Sequence, residues 1–276
     1  MNISGMTALV PGASRAIGRA IANELGKRNV NLVLPTFDWS ESITEMEKEF
    51  TDKGYSFLSV PVDLRSEDAV KQLIRSCKNR FGGLQILVNN IERGGMPVVH
   101  GSYDLPHNHE QWDLEITTTL KAKWLLFHHA LPLMQQSVEG AVVNISSVAG
   151  IEGRSGAGAA FFNDAYSAAN RAISSFTETW AREASPSIRV NELMLGLIRY
   201  RHGENTRGWA TLQQDERVAI YEQCLLNRTG TPEEVAKTTL FLIKDAEYMT
   251  GTVLKMDGGF TLGSKQVPPI PKGILE

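Results

Sequence analysis

An α/β chain built on a doubly wound parallel sheet is what this sequence predicts, on three observations. Apolar runs of strand type alternate with helix-type stretches along its length. The first run, Leu9-Val10-Pro11, passes into a glycine-bearing turn from Gly12 to Gly18 that opens an amphipathic helix. The 276 residues, 42% hydrophobic, suffice to bury one sizeable core, and no shift in composition marks a second domain.

Strands are expected over 6–11, 31–35, 56–60, 84–89, 140–146, 188–194 and 252–256. Helical patterns fall near 16–28, 40–53, 66–81, 110–135, 164–184 and 232–243, with Ser40, Ser66 and Thr231 as candidate N-caps. Helical crossovers cover both faces of a parallel sheet, which gives three layers. Pro11 is admissible only where its strand ends. The turn at Gly12 has two readings. It is either a tight turn alone, or a site where backbone N–H groups and the helix dipole meet a pyrophosphate.

Composition narrows the partners. A net charge of −3 without a basic run argues against nucleic acid or a membrane surface. The chain enters a strand at once, and its apolar runs fall short of the roughly 18 residues of a spanning helix, so a cytosolic protein is expected. Cys77 and Cys224 lie far apart, match no metal spacing and read as small buried hydrophobes. His128-His129, and His107 with His109, do not converge on one helical face, and no metal site is expected.

The order and spacing of several motifs resemble the short-chain dehydrogenase/reductase family over residues 3 to 262, a Rossmann-type fold. Pro11 to Gly18 resembles its glycine-rich turn, Asp63 in Val62-Asp63-Leu64 its adenine-binding acid, and Asn89-Asn90-Ile91-Glu92 its Asn-Asn-Ala-Gly. Gly140 to Ser147 is similar to the strand carrying the active-site serine, and Ile188 to Asn191 to the sixth strand. Met249-Thr250-Gly251 through Asp257-Gly258-Gly259 resembles the terminal signature. The resemblance implies hydride exchange between a nicotinamide and a carbonyl or alcohol. Its catalytic positions map to Tyr166, Ser147, Thr119 and Asn170, and its cofactor positions to Gly12, Ser14, Arg15, Ile17, Gly18, Thr36, Asp63, Leu64, Asn90 and Ile198. It also implies one domain over 1–262, with 199–228 as a substrate lid and 263–276 as a tail.

The departures from the family pattern bear on activity. Tyr166-Ser167-Ala168-Ala169-Asn170 has asparagine where the family places a lysine one helical turn after the tyrosine. A unit charge near 4 Å is worth about 4 kcal/mol at an effective dielectric near 20, or roughly three pKa units, which asparagine cannot supply. Tyr166 reads either as the catalytic acid or as a half-buried helix residue. Thr119 stands at the asparagine of the proton relay. Nineteen positions, a longer gap than the family's, separate Ser147 from Tyr166, and the intervening glycine-rich loop either reshapes the pocket or is a surface insertion. Ala16 replaces a glycine of the turn, Glu92 sets a carboxylate beside the path of an anionic cofactor, and Leu195-Gly196 replaces Pro-Gly.

Thr36 at the end of the second strand, with Arg15 nearby, favours NADP(H) over NAD(H), although Asp38 two residues on can reverse this and Arg15 has a solvated alternative. In the lid, Arg199, Arg201, His202 and Arg207 against Glu204 suit an anionic or acyl-thioester substrate, or are merely a solvated surface. The tail, with Pro268-Pro269-Ile270-Pro271 and Ile274-Leu275, reads as an extended arm that docks on a neighbouring subunit or stays disordered. Three readings result. The first is a weak or inactive subunit of a homo- or hetero-oligomer, a tetramer by resemblance, paired with an active relative. The second is a working NADP(H)-dependent carbonyl reductase or alcohol or hydroxyacyl dehydrogenase, in which Arg154 or Arg171 replaces the lost cation. The third is a dinucleotide sensor or a non-redox enzyme. The number of departures places the first ahead.

Overall fold

The structure, a computed structural model, describes residues 1–92, 106–156, 162–201, 203–204, 209–210, 212–263, 267–271 and 273. Seven parallel strands run β1 (Thr7–Leu9), β2 (Asn31–Thr36), β3 (Phe57–Pro61), β4 (Ile86–Asn89), β5 (Gly140–Ser147), β6 (Ile188–Leu195) and β7 (Val253–Met256). Their order across the sheet is β3-β2-β1-β4-β5-β6-β7. The chain order reverses between β1 and β4, so the crevice for a ligand lies beyond the carboxyl ends of those two strands.

Side-chain alternation in the strands builds the two outer layers. Ala8, Ile86 and Val88 point to one face, where α1 (Ala16–Gly26), α2 (Ser40–Asp52) and the late helix Pro232–Lys244 close over them with Ile21, Phe50 and Leu242. Leu9, Leu87 and Val142 point to the other, under α3 (Glu67–Phe81), the helix Ala122–Met134 and the long helix Asp164–Ala184. Burial on both faces is why the inner strands read as near-continuous apolar runs, whereas the edge strands β3 and β7 are only partly buried.

Helix starts were only partly legible. Ser66 accepts from the Ala69 N–H at 3.4 Å, and Thr231 with Glu234 forms a reciprocal capping box. Ser40 is not an N-cap: it is the first helical residue, preceded by Trp39 in the left-handed region at φ 72°. The stretch expected as one helix over 110–135 begins at Pro106 and is interrupted by a π-type turn, Ile116–Lys121, before Ala122–Met134. There the Thr117 hydroxyl donates to the carbonyls of Asp113 (2.7 Å) and Leu114 (3.2 Å), an acceptor competition that loosens a helix. A third apolar cluster caps the carboxyl end of the sheet, where Phe162, Tyr166, Met194, Leu197 and Trp209 gather with Ile220 of the helix Gln214–Gln223. Pro268 to Pro271 of the tail are exposed, while Ser264 and Ile274-Leu275 lie outside the described residues.

The crevice depends on close backbone approach. Gly12 has φ 71°, and a Cβ there would meet the Asn90 carbonyl at 2.6 Å. A Cβ on Gly18 would strike the Gly12 carbonyl and meet the Asn90 amide nitrogen at 2.8 Å. Gly18→Ala is therefore expected to cost about 1–3 kcal/mol of stability by urea unfolding, an overpacking loss. An unchanged midpoint would contradict this packing.

Candidate active site

A cleft of about 470 Å³ opens at the switch point between β1 and β4. Gly12, Ser14, Arg15, Ile17 and Gly18 line one wall, Thr36, Asp63 and Leu64 the far end, and Asn90 the floor. Of the cofactor positions expected from the sequence, Ile198 alone does not line it: that side chain is 1% exposed in the core, and its backbone bridges Gly230. The Asn90 side-chain amide donates to the Pro11 carbonyl at 3.3 Å, tying the glycine turn to the end of β4.

At this end the residues fit an adenosine diphosphate moiety. The turn brings the N-terminus of α1 to the cleft, where its N–H groups face an anion. The Ala16 methyl shares the wall. Two half-exposed aromatics carry cations, Arg15 4.0 Å from the Trp39 ring centroid and Arg65 5.5 Å from that of Phe37. Asp63, the expected adenine contact, is gripped by the Arg65 guanidinium (2.7–3.1 Å), which holds its carboxyl below the usual range against a smaller effect of burial.

The other end of the cleft is occupied by the chain's own charges. Glu92, just past β4, and Arg201, on the segment after β6, both line it. Arg201 donates through Nε to Glu92 Oε1 at 2.5 Å and through Nη2 to Oε2, and Nη1 reaches the Ser146 carbonyl at 3.4 Å. Its side chain is 6% exposed and that of Glu92 17%. The backbone fixes Arg201 in place: its N–H and that of Gly203 both donate to the Ile198 carbonyl at 3.0 Å, and Tyr200 turns the chain at φ 66°. Glu204 anchors the same segment, accepting from the hydroxyls of Tyr221 (2.7 Å) and Thr229. Of the other lid charges, Arg199 is exposed, whereas His202 and Arg207 lie outside the described residues.

Tyr166 meets this pair. It sits in the first turn of Asp164–Ala184, whose N-cap Asn163 accepts from the Tyr166 N–H at 2.7 Å, and it is buried at 2% exposure rather than half-buried. Its hydroxyl donates to Glu92 Oε2 at 3.0 Å and lies 3.0 Å from Arg201 Nη2, with the Ser147 hydroxyl also bonded to it. Burial drives the phenol pKa far up. Arg201 pulls it down, and Glu92 opposes that pull.

The remaining catalytic positions do not converge on the hydroxyl. Asn170 donates to its own helix, at the Tyr166 carbonyl (2.9 Å), and its Oδ1 is buried without a hydrogen-bond partner among the described residues. The Thr119 hydroxyl donates to Glu115. Neither cation proposed from the sequence replaces the lysine, since Arg154 pairs with Asp164 at 3.4 Å on the surface and Arg171 is exposed. The cation beside the phenol is Arg201, from the segment after β6 that the sequence identified only as generally basic. Of the glycine-rich loop, Phe162 packs against the Tyr166 ring, and 157–161 lies outside the described residues.

Sequence reasoning also missed Lys123. Fully buried, it donates to the Ile145 carbonyl at 2.7 Å. Burial lowers its pKa to about 8 against the upward pull of Glu92, with Arg201 lowering it and Glu192 and Glu115 raising it. Glu192, buried on β6, accepts from Ser146 and from Ser174 (3.2 Å), and burial raises its pKa. One helical turn separates Lys123 from Thr119, so the signal available was a lysine among apolar neighbours. Among the described residues, no group of three or more His, Cys, Asp or Glu is placed to hold a metal ion, and no helix is long and apolar enough to cross a membrane. Cys77 and Cys224 are buried, and burial raises their thiols to about 12 and about 11.

Residues 12–261 match the family model described as enoyl-(acyl carrier protein) reductase. With this cleft at the switch point of a Rossmann-type sheet, the chain belongs to the short-chain dehydrogenase/reductase family. It is 30% identical over 269 residues to glucose 1-dehydrogenase 2 of Bacillus subtilis, covering 96% of this chain and 98% of that protein. It is 30% identical over 255 residues to the 3-oxoacyl-(acyl-carrier-protein) reductase FabG of Staphylococcus aureus, covering 92% and 97%. The crystal structure of a Brucella melitensis short-chain dehydrogenase/reductase, a glucose/ribitol dehydrogenase, superposes with a TM-score of 0.79 at 25% identity over 94% of this chain and 98% of that one.

The Lys123 position makes a pH prediction. Its folded pKa of about 8 lies below the unfolded value of about 10.4, so between these the unfolded chain binds more protons and stability rises with pH. Below pH 8 the burial cost is fully present. Urea unfolding of the native chain and of Lys123→Met at several pH values is expected to show native stability gaining on the variant by up to about 1.4 kcal/mol per pH unit across that window. A constant difference would contradict a neutralisable buried lysine.

Proposed function

We propose that this short-chain dehydrogenase/reductase chain binds an adenosine-containing dinucleotide but holds its catalytic end shut, so that it is a weak or inactive oxidoreductase subunit, assembling with its own copies or with an active relative. One observation carries this reading: the Glu92 carboxylate sits on the Tyr166 hydroxyl, where a substrate oxygen has to bind. Carboxylate and guanidinium lie at the same 3.0 Å from the phenol oxygen, so their fields there largely cancel, and desolvation is left to hold Tyr166 as a neutral phenol. A nicotinamide ring and its ribose would have to displace the ion pair to reach the phenol. The glycine turn and the Arg15 and Arg65 side chains are untouched by that obstruction and suit the phosphates of the adenosine half. NADP(H) is favoured over NAD(H), because Thr36 offers no carboxylate at the end of β2 and Arg15 stands beside it.

A second reading rests on Arg201 itself. With Glu92 displaced, the guanidinium at 3.0 Å would lower the phenol pKa as the absent lysine would, and the chain would act as an NADP(H)-dependent carbonyl reductase, in line with the activities in its relatives' names.

Calorimetric titration separates the two. NADPH and 2′-phospho-ADP-ribose, which lacks the nicotinamide, are expected to bind within about threefold of each other, and both more tightly than NADH. NADPH binding more than about tenfold tighter than the truncated nucleotide, with turnover of a carbonyl substrate, would establish the second reading instead.

A further inference from the structure

We propose that Arg201 and Tyr166 form a receptor for a small carboxylic-acid ligand, and that Glu92 is its built-in occupant. Three donors converge on one planar, two-oxygen group: Arg201 Nε at 2.5 Å from Oε1, Arg201 Nη2 on Oε2, and the Tyr166 hydroxyl at 3.0 Å from Oε2. A guanidinium fork is the group best matched to a carboxylate, and here its approach is fixed by backbone bonds to Ile198 rather than by a flexible surface chain. The Arg201 side chain is 6% exposed and its guanidinium cannot shed its proton, so the position demands an anion. Glu92 meets that demand from the edge of the cleft, and both residues line the cleft, which gives a dissolved carboxylate a route to the same donors once Glu92 turns away.

The proposal specifies the ligand within the clasped site described above, on which it rests. A carboxylate held by Arg201 would place its neighbouring carbon beside the Tyr166 and Ser147 hydroxyls, which are bonded to each other. Oxo and hydroxy acids are therefore the carboxylates with most to gain. Phosphate shares the charge, but its tetrahedral bulk exceeds the planar group that the donors now surround.

The test is thermal melting of the full-length chain without nucleotide, so that its result is independent of the nucleotide comparison that tests the closed-site reading. Glu92→Ala leaves Arg201 without this carboxylate. Sodium acetate, against sodium chloride at equal ionic strength, is expected to raise its Tm saturably by about 2–4 °C, with a smaller response to phosphate. The native chain is expected to need at least about tenfold more acetate, because Glu92 must first be displaced. Glu92→Gln, a neutral and so weaker occupant of the fork, should respond at acetate concentrations between those of Glu92→Ala and the native chain, and serves if Glu92→Ala fails to fold. Adding Arg201→Met to either variant should abolish the response. Acetate acting no differently from chloride in both variants, a response that survives Arg201→Met, or a larger response to phosphate would each overturn the proposal.

Discussion

The ion pair between Glu92 and Arg201 is the interaction on which the rest of the site depends. An arginine with so little exposure is tolerable only when a carboxylate meets its fork, because its charge cannot be neutralised by losing a proton. Once that pair exists in the cleft, the state of Tyr166 follows. The residue that replaces the missing cation arrives with its own counter-ion, so the phenol gains hydrogen bonds but little net field. Asn170, without charge, donates to its own helix instead of reaching the phenol.

The two ends of the cleft thus obey different constraints. At the glycine turn, close backbone contact leaves no room for side chains at Gly12 and Gly18, and the Asn90 amide bond to the Pro11 carbonyl holds the turn against β4. At the catalytic end, charge has accumulated beneath the sheet's carboxyl edge, with Lys123 and Glu192 buried among hydroxyls and carbonyls beside the clasp. A hydrogen-bonded chain from Asn89 through Asn144 to Thr177 runs behind them. Breaking these pairings in a low-dielectric interior would leave more buried polar groups unmet, which makes this end costly to rearrange.

Sequence periodicity carried the fold because its signal is collective. The inner strands β1, β4 and β5 are largely apolar runs buried on both faces, and Leu9, Leu87 and Val142 could be assigned to strands with no knowledge of their partners. Local competition blurred the edges. Trp39 in a left-handed turn displaced the expected cap at Ser40, and the Thr117 hydroxyl helped open the helix over 110–135 into a π turn. The glycine turn was legible for the same reason as the strands, since its residues adjoin in sequence. The ion pair was not, because Glu92 and Arg201 are 109 positions apart, and alone Glu92 reads as a departure from the family pattern and Arg201 as one charge of a basic segment. Glu92 was recognised as an obstacle and the lid as basic, but only three-dimensional proximity makes the two a pair. Their combined effect on Tyr166 could not be read from a helix that shows only tyrosine followed by asparagine.

The central claim, that burial keeps Tyr166 a neutral phenol because the charges of Glu92 and Arg201 offset each other there, is tested most directly by ultraviolet titration of phenolate absorbance in the native chain and in Tyr166→Phe, with circular dichroism confirming that both stay folded. The sequence contains six tyrosines, and the raised pKa of Tyr166 means that it stays protonated where an exposed tyrosine ionises near pH 10. The account predicts identical phenolate signals from the two proteins up to about pH 11, with the missing phenolate of the native chain appearing only on unfolding. A native signal that exceeds the variant's by one tyrosine below about pH 10 would show an activated phenol and contradict the account.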